Sequence, residues 1–251
     1  MERMIVSEFY IGYQPNAPRG IRSRVRRTVL GMFVLAAAGA LLFASSQRDF
    51  ADSQFVFGKP PEFSGTIVEQ PFPSLFVNAF GDTITPYLLC APGKHGADSF
   101  VNGWAGKTAR LQGPLIYRQE GLMIELVPGS ITEETPAPAR SPVPRDFGEF
   151  TLQGEIVDTK CFLGVMNPGE GKVHRDCATR CLSGGIPPAL LTRDFDHTSR
   201  ILLLTDSASK PLAKSAYLAI VGQPVRVHGR VVEADGLYYL QTSRADIAAL
   251  P

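Results

Sequence analysis

Hydrophobic positions along the chain follow two patterns, one continuous run near the N-terminus and many short runs after it. Residues 28–47, TVLGMFVLAAAGALLFASSQ, carry no charge. At about 1.5 Å per residue, a helix over this run is about 30 Å long, the thickness of a membrane's hydrocarbon core. From residue 62 the apolar runs are short and separated by glycine and proline, which is typical of strands in small all-β domains. The pattern predicts a mainly β protein with one N-terminal transmembrane helix.

Strict alternation marks the clearest strand. In residues 225–231, VRVHGRV, valines alternate with basic residues, as expected for a strand with one buried face. Gly229 stands inside this strand, and a glycine there indicates a bulge or a sharp bend. A small closed barrel needs such a bend.

An internal repeat relates the two halves of the β region. FSGTIVE (63–69), PYLLC (86–90) and GKTARLQGPLIYRQEGLMIEL (106–126) correspond to LQGEIVD (152–158), RILLLTD (200–206) and GQPVRVHGRVVEADGLYYLQ (222–241). Four glycine pairs align, namely Gly65 with Gly154, Gly106 with Gly222, Gly113 with Gly229 and Gly121 with Gly236. In order and length each copy resembles the OB-fold, and this resemblance implies two tandem small β-barrels. Lipocalin-like and SH3-like barrels are the alternatives.

Composition shifts give the expected boundaries. They are a cytoplasmic tail (1–27), a transmembrane helix (28–47), a linker (48–61), a first OB-like domain (62–133), a proline-rich linker (134–148) and a second OB-like domain (149–251) with an insertion at 159–188. The prolines of the second linker favour an extended spacer. We therefore expect residues 146–251 to fold alone.

Charge predicts the topology. Six arginines precede the apolar run against two acidic residues, and this excess places the N-terminus in the cytoplasm. Residues 48–251 then lie in the periplasm, and the protein is a single-pass protein of a bacterial inner membrane. A cleaved signal peptide is the alternative, since Ala44, Ser45 and Ser46 suit a cleavage site. Residues 28–251 hold 19 basic and 22 acidic residues, which disfavours a nucleic-acid partner.

The tail before the arginines carries exposed aromatic residues. Phe9, Tyr10 and Tyr13 are too few to form a core. One interpretation is a frayed tail at the membrane interface, and the other is a docking peptide for an integral membrane protein partner.

The candidate chemistry lies in residues 158–188, DTKCFLGVMNPGEGKVHRDCATRCLSGGIPP. This stretch consists of Asp158 and the insertion 159–188. A short helix from Lys172 to Leu182 would place His174, Cys177 and Cys181 on one face, with Cys161 opposite at the end of a strand. Three thiols and one imidazole form a soft tetrahedral donor set, which Zn²⁺ prefers. The sequence therefore predicts a zinc site.

Other interpretations of this stretch stay open. A [2Fe-2S] cluster or copper would suit the same ligands. Cys161 could instead pair with Cys177 or Cys181 in a disulfide, with Cys90 as a further partner, and no cofactor would then be bound. Pairing of Cys177 with Cys181 inside a helix is disfavoured because their side chains point the same way.

Functional class follows from compartment and ligand type. The cysteine stretch with its GGIPP end resembles a segment of uncharacterised bacterial envelope proteins, a resemblance that implies no activity. No nucleophile elbow, phosphate-binding loop or paired carboxylate motif supports an enzyme. We expect a non-enzymatic, membrane-anchored accessory or scaffold subunit of a membrane redox assembly. The alternative is a redox or electron-transfer protein that uses an iron-sulfur centre or a thiol-disulfide pair at the same residues.

Overall fold

The computed structural model describes residues 16–47, 52–78, 84–135 and 144–251, in two compact units, residues 1–49 and residues 50–251. The first unit contains helix α1 (Arg19–Ser46), which begins after Pro18 and has no buried residue. The helix includes the arginine cluster and is therefore longer than the apolar run. It is long and apolar enough to cross a membrane, a test that a signal sequence near the N-terminus also meets.

In the described part of the second unit, the first sheet has nine strands. They are β1 (Ser53–Phe55), β2 (Glu62–Val68), β3 (Ser74–Asn78), β4 (Ile84–Ala91), β5 (His95–Gly96), β6 (Thr108–Gln112), β7 (Leu115–Arg118), β8 (Gly121–Glu125) and β9 (Thr132–Glu133), with the short helix α2 (Asp98–Val101) after β5. Their order is β1-β7-β8-β4-β3-β2-β6-β9, and β5 pairs with β4. Strands β4 and β8 run parallel, and the other pairs are antiparallel.

The second sheet closes into a small five-stranded barrel. Its strands are β10 (Arg145–Asp158), β11 (Pro188–Thr192), β12 (Arg200–Thr205), β13 (Pro224–Ala234) and β14 (Leu237–Gln241), and β15 (Ile247–Ala249) adds to β13. The order β10-β11-β12-β14-β13 closes because β13 also pairs with β10. Three 3-10 turns complete this half (Lys214–Ala216, Leu218–Ile220 and Arg244–Asp246). Strands β12 and β14 are parallel, as are β4 and β8 in the first sheet.

Two of the four aligned glycine pairs have a common physical reason. A Cβ atom on Gly154 would lie 2.1 Å from the carbonyl oxygen of Leu191, and one on Gly65 would lie 2.4 Å from that of Phe76. Gly229 and Gly113 are equally confined, each with a carbonyl oxygen 2.3 Å from the Cβ position. Any side chain there would collide with the neighbouring strand. These two aligned pairs therefore correspond to points of close strand approach in both sheets.

The fourth aligned glycine pair is not equivalent. Gly121 pairs with Arg118 at the start of β8, whereas Gly236 lies in the turn between β13 and β14, where Ala234 pairs with Leu237. Gly236 has a φ of +85°, and Asp235 beside it has a φ of +50°. The two-residue turn thus requires left-handed backbone at Gly236. Gly121 of the other hairpin, in contrast, is already part of strand β8.

The segment between β10 and β11 lies against both sheets. It contains one π-helical turn (Cys161–Val165) and helix α3 (Arg175–Ser183). One hydrophobic cluster joins this segment to the two sheets; its buried members are Phe72, Leu88, Cys90, Ile116, Met123, Val157, Cys161, Phe162, Leu163, Cys181, Ile186, Ala189, Ile201 and Leu203. In addition, β1 of the predicted linker 48–61 pairs with β7. The sequence predicted two separate domains, whereas in the structure both sheets share one hydrophobic cluster. The domain boundaries stay a prediction.

Candidate metal centre

Cys161 is positioned by the end of strand β10. The carboxylate of Asp158, the last residue of β10, accepts a hydrogen bond from the Cys161 backbone N–H at 2.8 Å and so starts the π-helical turn. The loop then returns closely over this turn, because a Cβ atom on Gly169 would lie 2.6 Å from the Cys161 carbonyl oxygen. Cys161 is 3% exposed. Its thiol therefore points into the protein from a fixed backbone position.

Helix α3 supplies the other two thiols. His174 is its N-cap residue, and Cys177 and Cys181 follow at a separation of four, which places them one above the other on one face. The helix ends at Ser183, close to the predicted end at Leu182. On another face Ala178 and Leu182 pack into the core of the barrel. The barrel thus orients the helix, and the cysteine face turns toward Cys161.

The three sulphur atoms form a compact triangle. Cys161 Sγ lies 3.9 Å from Cys177 Sγ and 3.8 Å from Cys181 Sγ, and all three atoms are within 4.8 Å of one another. Cys181 is 1% exposed, whereas Cys177 is half-buried. All four cysteines of the chain are free thiols, so the expected disulfide alternatives are not formed. The cluster is close enough to hold a metal ion.

His174 lies beside this triangle in an adjoining group. Its Nε2 is 3.0 Å from Oδ2 of Asp158, and both side chains are buried. His174, Asp158 and Cys161 have donor atoms within 4.8 Å of one another, so Cys161 belongs to both groups. The structure thus brings together three of the four expected ligands and places the imidazole next to one of them. A single centre with three cysteines and His174 stays a prediction.

Lys94 is a member of the site that sequence reasoning missed. It lies in the turn between β4 and β5, and its Nζ is 2.8 Å from Cys177 Sγ and 3.6 Å from Cys181 Sγ. The hydrogen bond with Cys177 raises the pKa of Lys94, so the ammonium stays charged. A buried thiolate requires a positive charge close to it. The predicted thiolates could therefore have indicated that a lysine lies near the cysteines.

Gly184 of the GGIPP end and Gly96 of strand β5 allow this turn to approach helix α3. The Gly96 backbone N–H donates a hydrogen bond to the Gly184 carbonyl oxygen at 3.0 Å. A Cβ atom on Gly184 would lie 1.8 Å from the carbonyl oxygen of Lys94, and one on Gly96 would lie 2.4 Å from that of Gly185. Gly184 is also the C-cap residue of helix α3. The two glycines let the first sheet place Lys94 next to the sulphur atoms.

The thiols of Cys161 and Cys181 share one hydrogen bond, which separates their acidities. It lowers the pKa of Cys181 to about 7, and Lys94 supports the ionised form from the other side. The same hydrogen bond, together with burial, raises the pKa of Cys161. Negative charge therefore collects first on Cys181, in front of Lys94. A soft cation would meet an ionised sulphur here near neutral pH.

A second lysine also connects the insertion with the first sheet, but it reaches from the insertion to the sheet, the reverse of Lys94. Lys160 of the insertion is 2% exposed. Its Nζ lies 2.5 Å from a carboxylate oxygen of Glu125 and donates hydrogen bonds to the carbonyl oxygens of Ala91 (2.9 Å) and Gly93 (2.6 Å). All three donors of the ammonium have an acceptor. Lys160 thus ties the insertion to the turn that carries Lys94.

Cys90 lies close by but differs chemically from the other three cysteines. It is fully buried in strand β4, and burial raises the pKa of its thiol to about 12. The thiol therefore stays protonated at neutral pH. Because a metal ligand must be a thiolate, Cys90 is not counted among the candidate ligands of the three-cysteine site.

The predicted partner-binding residues Phe9, Tyr10 and Tyr13 lie outside the described residues. Comparisons with models of protein families, with curated proteins and with solved structures found no match to this chain. Fold and site together define a mainly β protein with one apolar N-terminal helix, a small five-stranded barrel and a cysteine cluster that could bind a metal ion.

Proposed function

We propose that this protein is a membrane-anchored accessory or scaffold subunit that carries a structural metal site at Cys161, Cys177 and Cys181. One observation carries the metal site, namely the spacing of the sulphur atoms. In a tetrahedral zinc site with Zn–S bonds of about 2.3 Å, two sulphur ligands are about 3.8 Å apart. The measured separations of Cys161 Sγ from its two neighbours are 3.8 Å and 3.9 Å. Three thiols at this spacing need little movement to bind one ion.

His174 is the proposed fourth ligand. Histidine ligands of metals usually donate their second ring N–H to a carboxylate. If Nε2 of His174 carries its proton, it donates to Asp158 at 3.0 Å, and Nδ1 keeps a free lone pair. In this tautomer Nδ1 is the nitrogen that would bind the ion, while Asp158 holds the other side of the ring. A closed set of four protein ligands fits a structural role and zinc in particular, and copper is the second choice of metal.

The strand pairings support an OB-like interpretation of both halves. In the barrel the first strand pairs with the second and the fourth, and the third is parallel to the fifth. The first sheet has the same pairings when β6 and β7 are taken as one strand interrupted after Gln112. We propose that the two halves are tandem OB-like repeats, with the metal site in a connection that only the second repeat has enlarged.

The anchor and the compartment are part of the same proposal. Helix α1 has the length and composition of a membrane span, and the arginines at its start favour a cytoplasmic N-terminus. Residues 48–251 would then face the periplasm of a bacterium. Integral membrane proteins of a redox assembly are the proposed partners, with Phe9, Tyr10 and Tyr13 as the contact at the cytoplasmic face.

Topology is tested with reporter fusions. A reporter that is active only outside the cytoplasm, fused after Pro251, should be active, because the single span places the C-terminus across the membrane. The matched control carries acidic residues in place of Arg22, Arg24, Arg26 and Arg27 and should lose part of this activity. Activity of a cytoplasm-only reporter at the same position would contradict the proposal. The mass of the mature protein separates an intact anchor from a cleaved signal.

A redox role is the second candidate, favoured by the proximity of thiols that are not bonded. A [2Fe-2S] cluster distributes its ligands over two irons, and sulphurs on different irons lie farther apart than sulphurs on one ion. The compact triangle therefore suits a mononuclear site better. A thiol-disulfide pair stays in agreement with the short distances. The absorption spectrum separates a coloured cluster from zinc.

Metal analysis of single variants tests the site. The protein purified without chelator should contain about one metal ion per chain and four thiols after denaturation without reductant. Cys161→Ser, Cys177→Ser and Cys181→Ser should each remove most of the metal, whereas Cys90→Ala, which also removes one thiol, should retain it. His174→Ala should lower the metal content if the imidazole is a ligand. Absence of metal in the native protein, together with no uptake of Co²⁺ or Zn²⁺ by the reduced protein, would refute the proposed function.

A further inference from the structure

The three thiols of the site differ in their access to solvent. Cys161 and Cys181 are 3% and 1% exposed, whereas Cys177 is half-buried. Lys94 Nζ donates to the sulphur of Cys177 at 2.8 Å, so a positive charge lies beside the most accessible thiol. A small peroxide in solution would therefore reach Cys177 before the other two. This difference matters in the metal-free protein, where no ion occupies the sulphur electron pairs.

Geometry decides which thiol can pair with Cys177. Residues four apart on a helix have Cβ atoms about 5–6 Å apart. A disulfide requires a Cβ separation of about 3.5–4.5 Å. Cys177 and Cys181, both on α3, are therefore poorly placed to pair with each other. Cys161 comes from a different element, and its Sγ is 3.9 Å from that of Cys177. Closing this distance to a bond of about 2.05 Å needs a shift of about 2 Å.

We propose that the metal-free site is a peroxide-sensitive switch in which Cys177 is oxidised first and Cys161 resolves it into a disulfide. In the first step the Cys177 sulphur attacks one peroxide oxygen, the O–O bond breaks, and water leaves after protonation, which forms a sulfenic acid. In the second step the Cys161 sulphur attacks the Cys177 sulphur, the S–O bond breaks and a second water leaves. Two thiols give two electrons to one hydrogen peroxide, and one S–S bond forms.

The switch and the metal would exclude each other, because both use the same sulphur electron pairs. This consequence rests on the proposed metal site, whereas the oxidation itself does not. Disulfide formation would also move the Cys177 sulphur toward Cys161 and away from Lys94, whose hydrogen bond it accepts. The turn between β4 and β5 would then lose one of its contacts with helix α3, and its backbone contact through Gly96 and Gly184 would remain. Oxidation is thus expected to loosen this turn without unfolding the sheets.

Peptide mapping after a peroxide titration tests the inference. The full-length protein is reduced, freed of metal with a chelator and treated with hydrogen peroxide up to one equivalent. We expect the loss of two thiols and a cross-linked pair of peptides that contain Cys161 and Cys177. Cys161→Ser should instead accumulate a sulfenic acid on Cys177, trapped by a dimedone probe. Cys177→Ser should react much more slowly at the same dose, and circular dichroism confirms that each variant is folded.

The outcomes separate the switch from the metal site. A principal disulfide between Cys161 and Cys181, or unchanged oxidation in Cys177→Ser, would overturn the switch. Protein preloaded with Zn²⁺ should resist the same dose of peroxide. If the protein takes up no metal and the Cys161–Cys177 disulfide still forms, the proposed metal site fails while the switch stands. If metal is bound and no disulfide forms in the metal-free protein, the switch fails alone.

Discussion

A fragment of residues 144–251 is expected not to fold by itself, although it contains the whole barrel and the insertion. The insertion buries Phe162, Leu163 and Ile186 in a cluster whose other side is formed by Leu88 and Met123, among others, of the first sheet. Exposure of a fully buried large apolar side chain costs about 1.5–3 kcal/mol. The fragment would expose several at once, against a typical total stability of about 5–15 kcal/mol. This expectation reverses the one from the sequence, where a proline-rich spacer suggested independent domains.

Thermal unfolding followed by circular dichroism checks this prediction. The matched control is a fragment of residues 50–251, which corresponds to the compact second unit and keeps the cluster complete. The control should melt cooperatively and stay soluble, whereas the shorter fragment should aggregate or show no transition. A cooperative transition of the 144–251 fragment near that of the control would show that the shared cluster is dispensable.

Lys160→Met is expected to destabilise the second unit by about 3–5 kcal/mol, the cost of removing one partner from a buried ion pair. The substitution keeps the length of the side chain but leaves the Glu125 carboxylate and the carbonyl oxygens of Ala91 and Gly93 without their shared donor. Part of this cost should be recovered in the double variant Lys160→Met/Glu125→Leu, because the unpaired carboxylate is then absent. Urea unfolding of the 50–251 fragment measures all three proteins.

An exposed ion pair provides the control for Lys160. Arg230 contacts Asp146 at 2.6 Å and Glu149 at 3.2 Å, and its side chain is 45% exposed. Water screens these charges, so Arg230→Met should change the free energy of unfolding far less than Lys160→Met does. Equal effects of the two substitutions would contradict the assignment of Lys160 as the buried tie between the insertion and the first sheet.

The two lysines explain why the cysteine stretch depends on the whole unit. Lys160 reaches from the insertion into the turn between β4 and β5, and Lys94 reaches from that turn to the sulphur atoms. The hydrogen bond from Gly96 to Gly184 keeps the backbone of β5 in contact with the end of helix α3. A shift of this turn would therefore move the Lys94 ammonium relative to the thiols. The candidate site belongs to both halves of the unit.

Part of this structure could be predicted from regular patterns among residues that are close together in the sequence. Twenty uncharged residues predicted α1, and alternation with a central glycine predicted β13. The spacing of Cys177 and Cys181 placed both thiols on one helical face, and the structure confirms their proximity to Cys161. These features depend on neighbours within about four residues, where the period of a helix or a strand determines which side chains share a face.

Only the tertiary structure decided the rest, because it depends on contacts between distant parts of the chain. Lys94 and Cys177 are 83 positions apart, and no local pattern connects them. The pairing of His174 with Asp158, beside the sulphur triangle, follows from the way the loop folds back over the Cys161 turn. The shared core arises because the insertion buries its apolar side chains against whichever surface the first sheet presents. The sequence by itself determined the strands, the membrane-length helix and the cysteine face, whereas packing determined which charges and which apolar surfaces meet them.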